Sequence, residues 1–247
     1  MVKKLSKFRL ASLRLNNVVS RKILMAITGL AMCLYLVAHL LGNLQLYFNQ
    51  PQFDAYAHFL TVDMKPLVWV FRLGLLGIVT LHIVDSYSLL KTNYAARPVP
   101  YHSKTWARTK SKKSKKSWAS TLMQISGGIV LFFIVFHIWH FTMKNPVAST
   151  APGVDQSGRY QLAALVINEF RNPVVTAIYL GSLLLIGMHL WHGVSSALRT
   201  MGADSPRYQF LIGLVGYGFT FLIVGGFMSI PILIYTGVLG LGGAPTH

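Results

Sequence analysis

The chain has 247 residues, 53% of them hydrophobic and only 12% charged, and its mean hydropathy is +0.50. A soluble domain carries about 25% charged residues, so this composition argues against a soluble globular protein, and it is too apolar for disorder. The single cysteine, Cys33, excludes an intrachain disulfide, a CxxCH haem attachment and a cysteine zinc site.

Five apolar stretches are long enough to cross a hydrocarbon core, which takes about 20 helical residues. They run near 22–48, 67–90, 122–143, 174–198 and 208–239. None alternates in the way a membrane barrel strand does, and lipid offers no partner for open backbone groups. The expectation is an all-α, five-helix integral membrane bundle forming one domain. The first stretch is too long for a signal peptide and lacks a small-residue cleavage site. Between spans one and two, residues 49–66 form a short amphipathic pattern. Between spans three and four, the piece 160–170 reads as a short surface helix.

The formal net charge is +17, from 23 Lys and Arg against 6 Asp and Glu. Residues 1–22 hold seven basic residues, the segment 91–118 holds nine, and Arg199 and Arg207 follow span four. That puts eighteen on one side and five, Lys65, Arg72, Lys144, Arg159 and Arg171, on the other. The positive-inside rule places the N-terminus and the 91–118 segment in the cytoplasm and the C-terminus outside. Most of the charge is thus topogenic, and nucleic acid is not the expected partner. The run SKKSKKS at 111–117 fits attraction to anionic lipid, docking of an acidic soluble partner, or both.

Nine histidines are present. His39, His82, His137, His189 and His192 fall within spans, where ionisable residues are costly and mark function. His39 and His137 lie about seven to nine residues from the outer ends of spans one and three, and His82 and His189 about eight to nine from the inner ends of spans two and four; at 1.5 Å per residue these are two layers. The outer layer is His39 with His137, and the inner layer is His82 with His189. Two histidine pairs at two depths in a four-helix core are what two bis-histidine haems require, and filling both axial positions suits electron transfer. The irons would lie roughly 10–20 Å apart. A zinc or copper site would want ligands converging on one point. A proton relay usually adds Asp or Glu, and only Asp85 is placed for that. His140 and His192 each follow a proposed ligand by three residues and are rivals to it. Gly29, Gly42, Gly127, Gly128, Gly181 and Gly187 suit helix packing, or close approach of a haem edge.

The segments LVAHLLGN (36–43), FDAYAHFL (53–60), LHIVDSY (81–87), FIVFHIWHF (133–141) and GMHLWHGVSSAL (187–198) resemble the cytochrome b subunit of succinate dehydrogenases and fumarate reductases. The resemblance is to the single-chain, five-helix, di-haem type of the bacterial cytoplasmic membrane. It implies a non-flavin subunit with two non-covalent haem b groups, ligated by His39 and His137 (outer) and by His82 and His189 (inner). It also implies a flavoprotein and an iron–sulfur subunit as partners on the cytoplasmic face, with succinate chemistry on the flavoprotein. A higher oligomer of the complex is a further possible state. Quinone, commonly menaquinone in this type, is expected near the first outer loop, where His58 and Asp63 are protonatable. At the inner face Ser20, Arg21, Lys22 and Arg199 are candidates for haem propionates or a second quinone site; their plain role is fixing topology. Two alternatives remain: the cytochrome b subunit of a hydrogenase or formate dehydrogenase, and a haem-free transporter or structural anchor.

Overall fold

A computed structural model describes residues 17–96, 118–203 and 205–241. The basic residues before Asn17, and most of the basic 91–118 segment with its run at 111–117, lie outside the described residues. Seven α-helices make up the described chain: α1 (Val18–Phe48), α2 (Gln50–His58), α3 (Lys65–Ala95), α4 (Trp118–His137), α5 (Leu162–Phe170), α6 (Pro173–Leu198) and α7 (Gln209–Tyr235). Wider π turns extend α2 over Phe59–Asp63, α4 over Ile138–Thr142 and α6 over Arg199–Ala203. Five of these helices are long and apolar enough to cross a membrane.

Local chemistry sets most of the helix ends. α1 begins four residues before the expected Lys22 because the Asn17 side chain accepts the Ser20 N–H at 2.7 Å, an N-cap that satisfies a free donor. Asn49 closes α1 and opens α2, accepting the Gln52 N–H at 2.9 Å, with Pro51 in the first turn. Asn172 caps α6 and Pro173 follows it, a position where proline loses no hydrogen bond. α3 continues five residues past Leu90, stopping just before Arg97 and Pro98; a residue that precedes proline disfavours helix. α7 stops at Tyr235, short of the expected Leu239, and Gly237 at φ 76° turns the chain away.

α1 packs against α3, α6 and α7; α4 leans on α6; α6 and α7 share the most extensive contact. Two close approaches need glycine. A Cβ on Gly226 of α7 would stand 2.8 Å from a methyl of Leu40, and one on Gly216 would collide with Ser195 Oγ of α6. Large apolar side chains such as Leu34, Phe71, Phe132, Phe210 and Phe221 point outward and are more than two-thirds exposed. A surface of that kind is stable against lipid tails and not against water. Over its most apolar stretch α3 buries no residue.

The end of the bundle where α1 starts is here called the near end; the other is the far end. A second core closes the far end, built from Leu46 of α1, Phe53 of α2, Val166 and Ile167 of α5, Tyr179 of α6 and Ile234 of α7. α5 was expected as a surface helix over 160–170. It does form, but Leu165 and Ile167 are fully buried, with Ala163, Val166, Glu169 and Phe170 also inside. Its residues are apolar around most of its circumference, so it fills the space over the bundle instead of lying flat on it. Buried Asp54 of α2 fastens its start, accepting the Ala163 N–H at 2.8 Å. Burial raises the Asp54 carboxyl above its usual range.

Candidate functional site

The four span histidines come from four helices. His39 of α1 and His137 of α4 meet edge to face, with ring centroids 5.7 Å apart. Tyr35, one turn before His39, stacks on it at 5.5 Å, and Phe227 of α7 touches its other side at 5.5 Å. Phe133 does the same for His137 at 5.7 Å. This pair sits toward the far end.

His82 of α3 faces α1. Its Nδ1 lies 3.1 Å from Thr28 Oγ1, and a Cβ on Gly29 would touch its ring at 3.4 Å. His189 of α6 faces α4 in the same way. Its Nδ1 lies 3.2 Å from Ser126 Oγ, and a Cβ on Gly127 would also stand at 3.4 Å.

Two hydroxyls favour one tautomer. Thr28 Oγ1 donates to the Leu24 carbonyl at 2.8 Å, and Ser126 Oγ lies 3.1 Å from the Met123 carbonyl. With its one proton on that carbonyl, each oxygen accepts from the imidazole. In that arrangement Nδ1 carries the hydrogen in both rings, and Nε2 keeps its lone pair. A hydrogen-bonded second nitrogen is the usual support for a metal-bound histidine.

All four histidines are half-buried, so their rings border accessible space. Gly128 and Gly181 also face open space, whereas Gly42 packs against Tyr56 and Gly187 against Val224. Among the described residues, no three His, Cys, Asp or Glu side chains gather as a metal site would need.

The rivals differ. His140 is fully buried, and both of its nitrogens are engaged: Nδ1 with Tyr179 Oη at 2.8 Å and Nε2 with Glu169 Oε2 at 2.9 Å. It has no lone pair to offer a metal. His192 is half-buried on α6 near Arg199. Asp85 is buried on α3, and its Oδ2 has no hydrogen-bond partner among the described residues.

The remaining candidates are scattered. His58 is half-buried at the end of α2, and Asp63 is exposed at the end of the following π turn. The first outer loop instead buries Asp54. Ser20, Arg21 and Lys22 open α1, and Arg199 follows α6; α1 contacts the Arg199–Ala203 turn. These four thus share the near end, where Arg21 is half-buried and Lys22 and Arg199 are exposed.

Sequence reasoning overlooked Thr28, Ser126 and Glu169, and took Tyr179 only as an interfacial or core aromatic. A signal for the first two was present. Thr28–Gly29 precedes His39 by the same spacing as Ser126–Gly127 precedes His137, and Gly74 precedes His82 as Gly181 precedes His189. Paired hairpins α1–α3 and α4–α6 carry this repeat. For Glu169 no sequence signal existed, because its partners are about 20 to 29 residues away.

No protein-family model, no curated protein and no solved structure matches the chain.

Proposed function

We propose that this chain is the di-haem cytochrome b membrane anchor of a succinate:quinone oxidoreductase. The pairing of four span histidines, one pair in ring contact and the other held through Nδ1 by matching hydroxyls, carries the reading. The residues fit haem b: two imidazoles per group, hydroxyl partners at Nδ1 in one pair that leave Nε2 for the iron, and glycines beside those rings. His39 and His137 would hold one haem, His82 and His189 the other. Haem ligated on both faces supplies one-electron transfer, closed to oxygen. Thr28 and Ser126 orient the near-end imidazoles; Tyr35, Phe133 and Phe227 wall off the far-end pair from water.

In this reading the near end is cytoplasmic and docks an iron–sulfur subunit, itself joined to a flavoprotein that handles succinate. Its basic residues suit an acidic docking face and anionic lipid. The membrane is a bacterial cytoplasmic membrane. Quinone, of the menaquinone kind, is reduced at the far end, where half-buried His58 and exposed Asp63 are groups able to pass protons. Electrons then cross the membrane from inside to outside while protons are taken up outside. Each charge crossing works against or with about 2.3 kcal/mol per 100 mV. The chain is also consistent with the cytochrome b subunit of a hydrogenase or formate dehydrogenase, which a co-purified flavoprotein would exclude.

The whole complex should contain two b haems per chain by pyridine haemochrome analysis, together with covalent or bound flavin. Asp63→Asn should slow quinone turnover at least several-fold and leave succinate oxidation with a soluble dye unchanged. Collapse of the membrane potential should slow menaquinone-linked succinate oxidation. Absence of haem sinks the reading; equal loss of dye and quinone activity moves quinone away from the first outer loop. Indifference to the potential would favour a near-end quinone site beside Ser20 and Arg21, or a compensating proton path.

Orientation has its own check. A reporter active only outside the cytoplasm should be active when fused after His247 and silent when fused after Lys113. The reverse pattern would exchange the two faces and put the partner against the His39–His137 pair.

A further inference from the structure

We propose that Glu169 and His140 act through Tyr179 as positioning residues for His137, so that a carboxylate in the far-end cap dictates which nitrogen of His137 carries the hydrogen and how strongly the other nitrogen donates. The proposal rests on the assignment of His137 as a haem ligand.

Glu169 is fully buried and is surrounded by donors. It accepts N–H groups from Val147 at 3.0 Å, Ala148 at 3.1 Å and Ser149 at 2.8 Å, and the Ser149 O–H at 2.6 Å. An acceptor-only side chain matches that set. Burial alone would raise its carboxyl, but the hydrogen bonds from Ser149, Val147, Ala148 and His140 outweigh it and hold Glu169 below the usual range. The atom facing it, Nε2 of His140 at 2.9 Å, must therefore donate. The other nitrogen of a neutral imidazole is an acceptor, so His140 Nδ1 takes the Tyr179 O–H at 2.8 Å. Tyrosine has a single proton, and it is now spent. Toward His137 Nδ1, 3.5 Å away, the Tyr179 oxygen can only accept. His137 is left with Nδ1–H and a free Nε2 lone pair. The last link is the long one in the chain.

Three further facts favour a positioning role over simple filling. The rings of Phe133, Phe136, Phe141 and Phe170 surround Tyr179 at centroid distances of 5.3, 5.8, 5.6 and 4.9 Å, so it cannot easily turn to another partner. The low-dielectric setting strengthens each hydrogen bond in the series. Among the described residues, the other three histidines have neutral neighbours at Nδ1: Asn43, Thr28 and Ser126. His137 is thus the one whose Nδ1 leads, through Tyr179 and His140, to a buried carboxylate. Such backing raises ligand basicity and favours the more positive, ferric state.

Redox titration of the purified complex tests this. Tyr179→Phe keeps the ring and removes the hydroxyl. One of the two haem midpoint potentials should rise, by about 59 mV if the ferric-to-ferrous preference falls tenfold, while the other stays. The same haem should show an altered low-spin electron paramagnetic resonance signal. Glu169→Gln should shift that potential in the same direction by a smaller amount. Asp54→Asn serves as the control: it loosens the cap at α5 without touching the chain, and both potentials should stay. Unchanged potentials and spectra in Tyr179→Phe with both haems retained would overturn the proposal, and so would an equal shift in Asp54→Asn. A wild-type complex without haem would instead remove the functional reading beneath it.

Discussion

Replacing His39 or His137 with alanine should lower the haem content from two per chain to one, and both replacements should remove the same spectral component. Replacing His82 or His189 should remove the other. The expectation follows from the pairs: His39 and His137 touch, and His82 and His189 are held in matching settings on opposite hairpins. An axial imidazole is a direct bond to iron, and its loss opens one face, so any haem that stays should become high-spin. The supporting hydroxyls should matter less. Thr28→Val and Ser126→Ala should weaken haem binding by about 10–100-fold, as loss of an outer-shell partner does, without abolishing it. Optical spectra of each variant at known protein concentration decide the matter. If His39→Ala and His82→Ala erase the same component, the pairing is wrong. If His189→Ala keeps two low-spin haems while His192→Ala loses one, the ligand is His192.

Glu169→Ala should cost at least about 1–3 kcal/mol of stability, the penalty for leaving a buried donor such as His140 Nε2–H without its acceptor. Its carboxylate holds the 147–149 backbone, the Ser149 hydroxyl and His140, and each buried donor left without an acceptor costs about 1–3 kcal/mol. Water can reach the part-buried 147–149 segment and will recover some of this. It cannot reach His140, which is fully buried. The same residue gives a pH signature. Its folded value lies below the usual range, because the hydrogen bonds outweigh the opposing effect of burial. A depressed carboxyl stabilises the fold above its unfolded value, about 4.3, and that contribution disappears as pH falls through the folded value. Thermal unfolding of the detergent-solubilised complex should show wild type losing midpoint temperature below about pH 4, with Glu169→Gln much flatter there. A Glu169→Ala complex that melts with wild type at neutral pH would mean that the 145–150 connection is not held by this residue.

Much of the architecture could be read in the sequence because membrane insertion leaves few alternatives. Lipid requires every backbone group to be paired inside its own helix, so five apolar runs of sufficient length imply five helices, and that is what forms. Depth could also be read, since rise per residue is fixed; the layer holding His39 and His137 follows from counting. Helix ends were less accessible. Asn17 and Asn49 act through a single side-chain hydrogen bond each, and a span estimated from hydropathy stops where charge begins, not where the cap lies.

What only the tertiary structure decided is which polar atoms face each other across helices. Thr28 and Ser126 look like ordinary small residues in apolar runs until α3 and α6 bring imidazoles against them. His140 and His192 stand in the same sequence relation to a proposed ligand. Yet His140 is saturated by Tyr179 and Glu169, because α5 folds inward and carries a carboxylate over the bundle. Read as a sequence, 160–170 is an apolar piece expected as a short surface helix; packed, it becomes the buried cap. Periodicity along one helix reports only that a face is apolar. Whether that face meets lipid, loop or another helix depends on contacts between residues far apart in the chain, and those are fixed by packing the whole bundle at once.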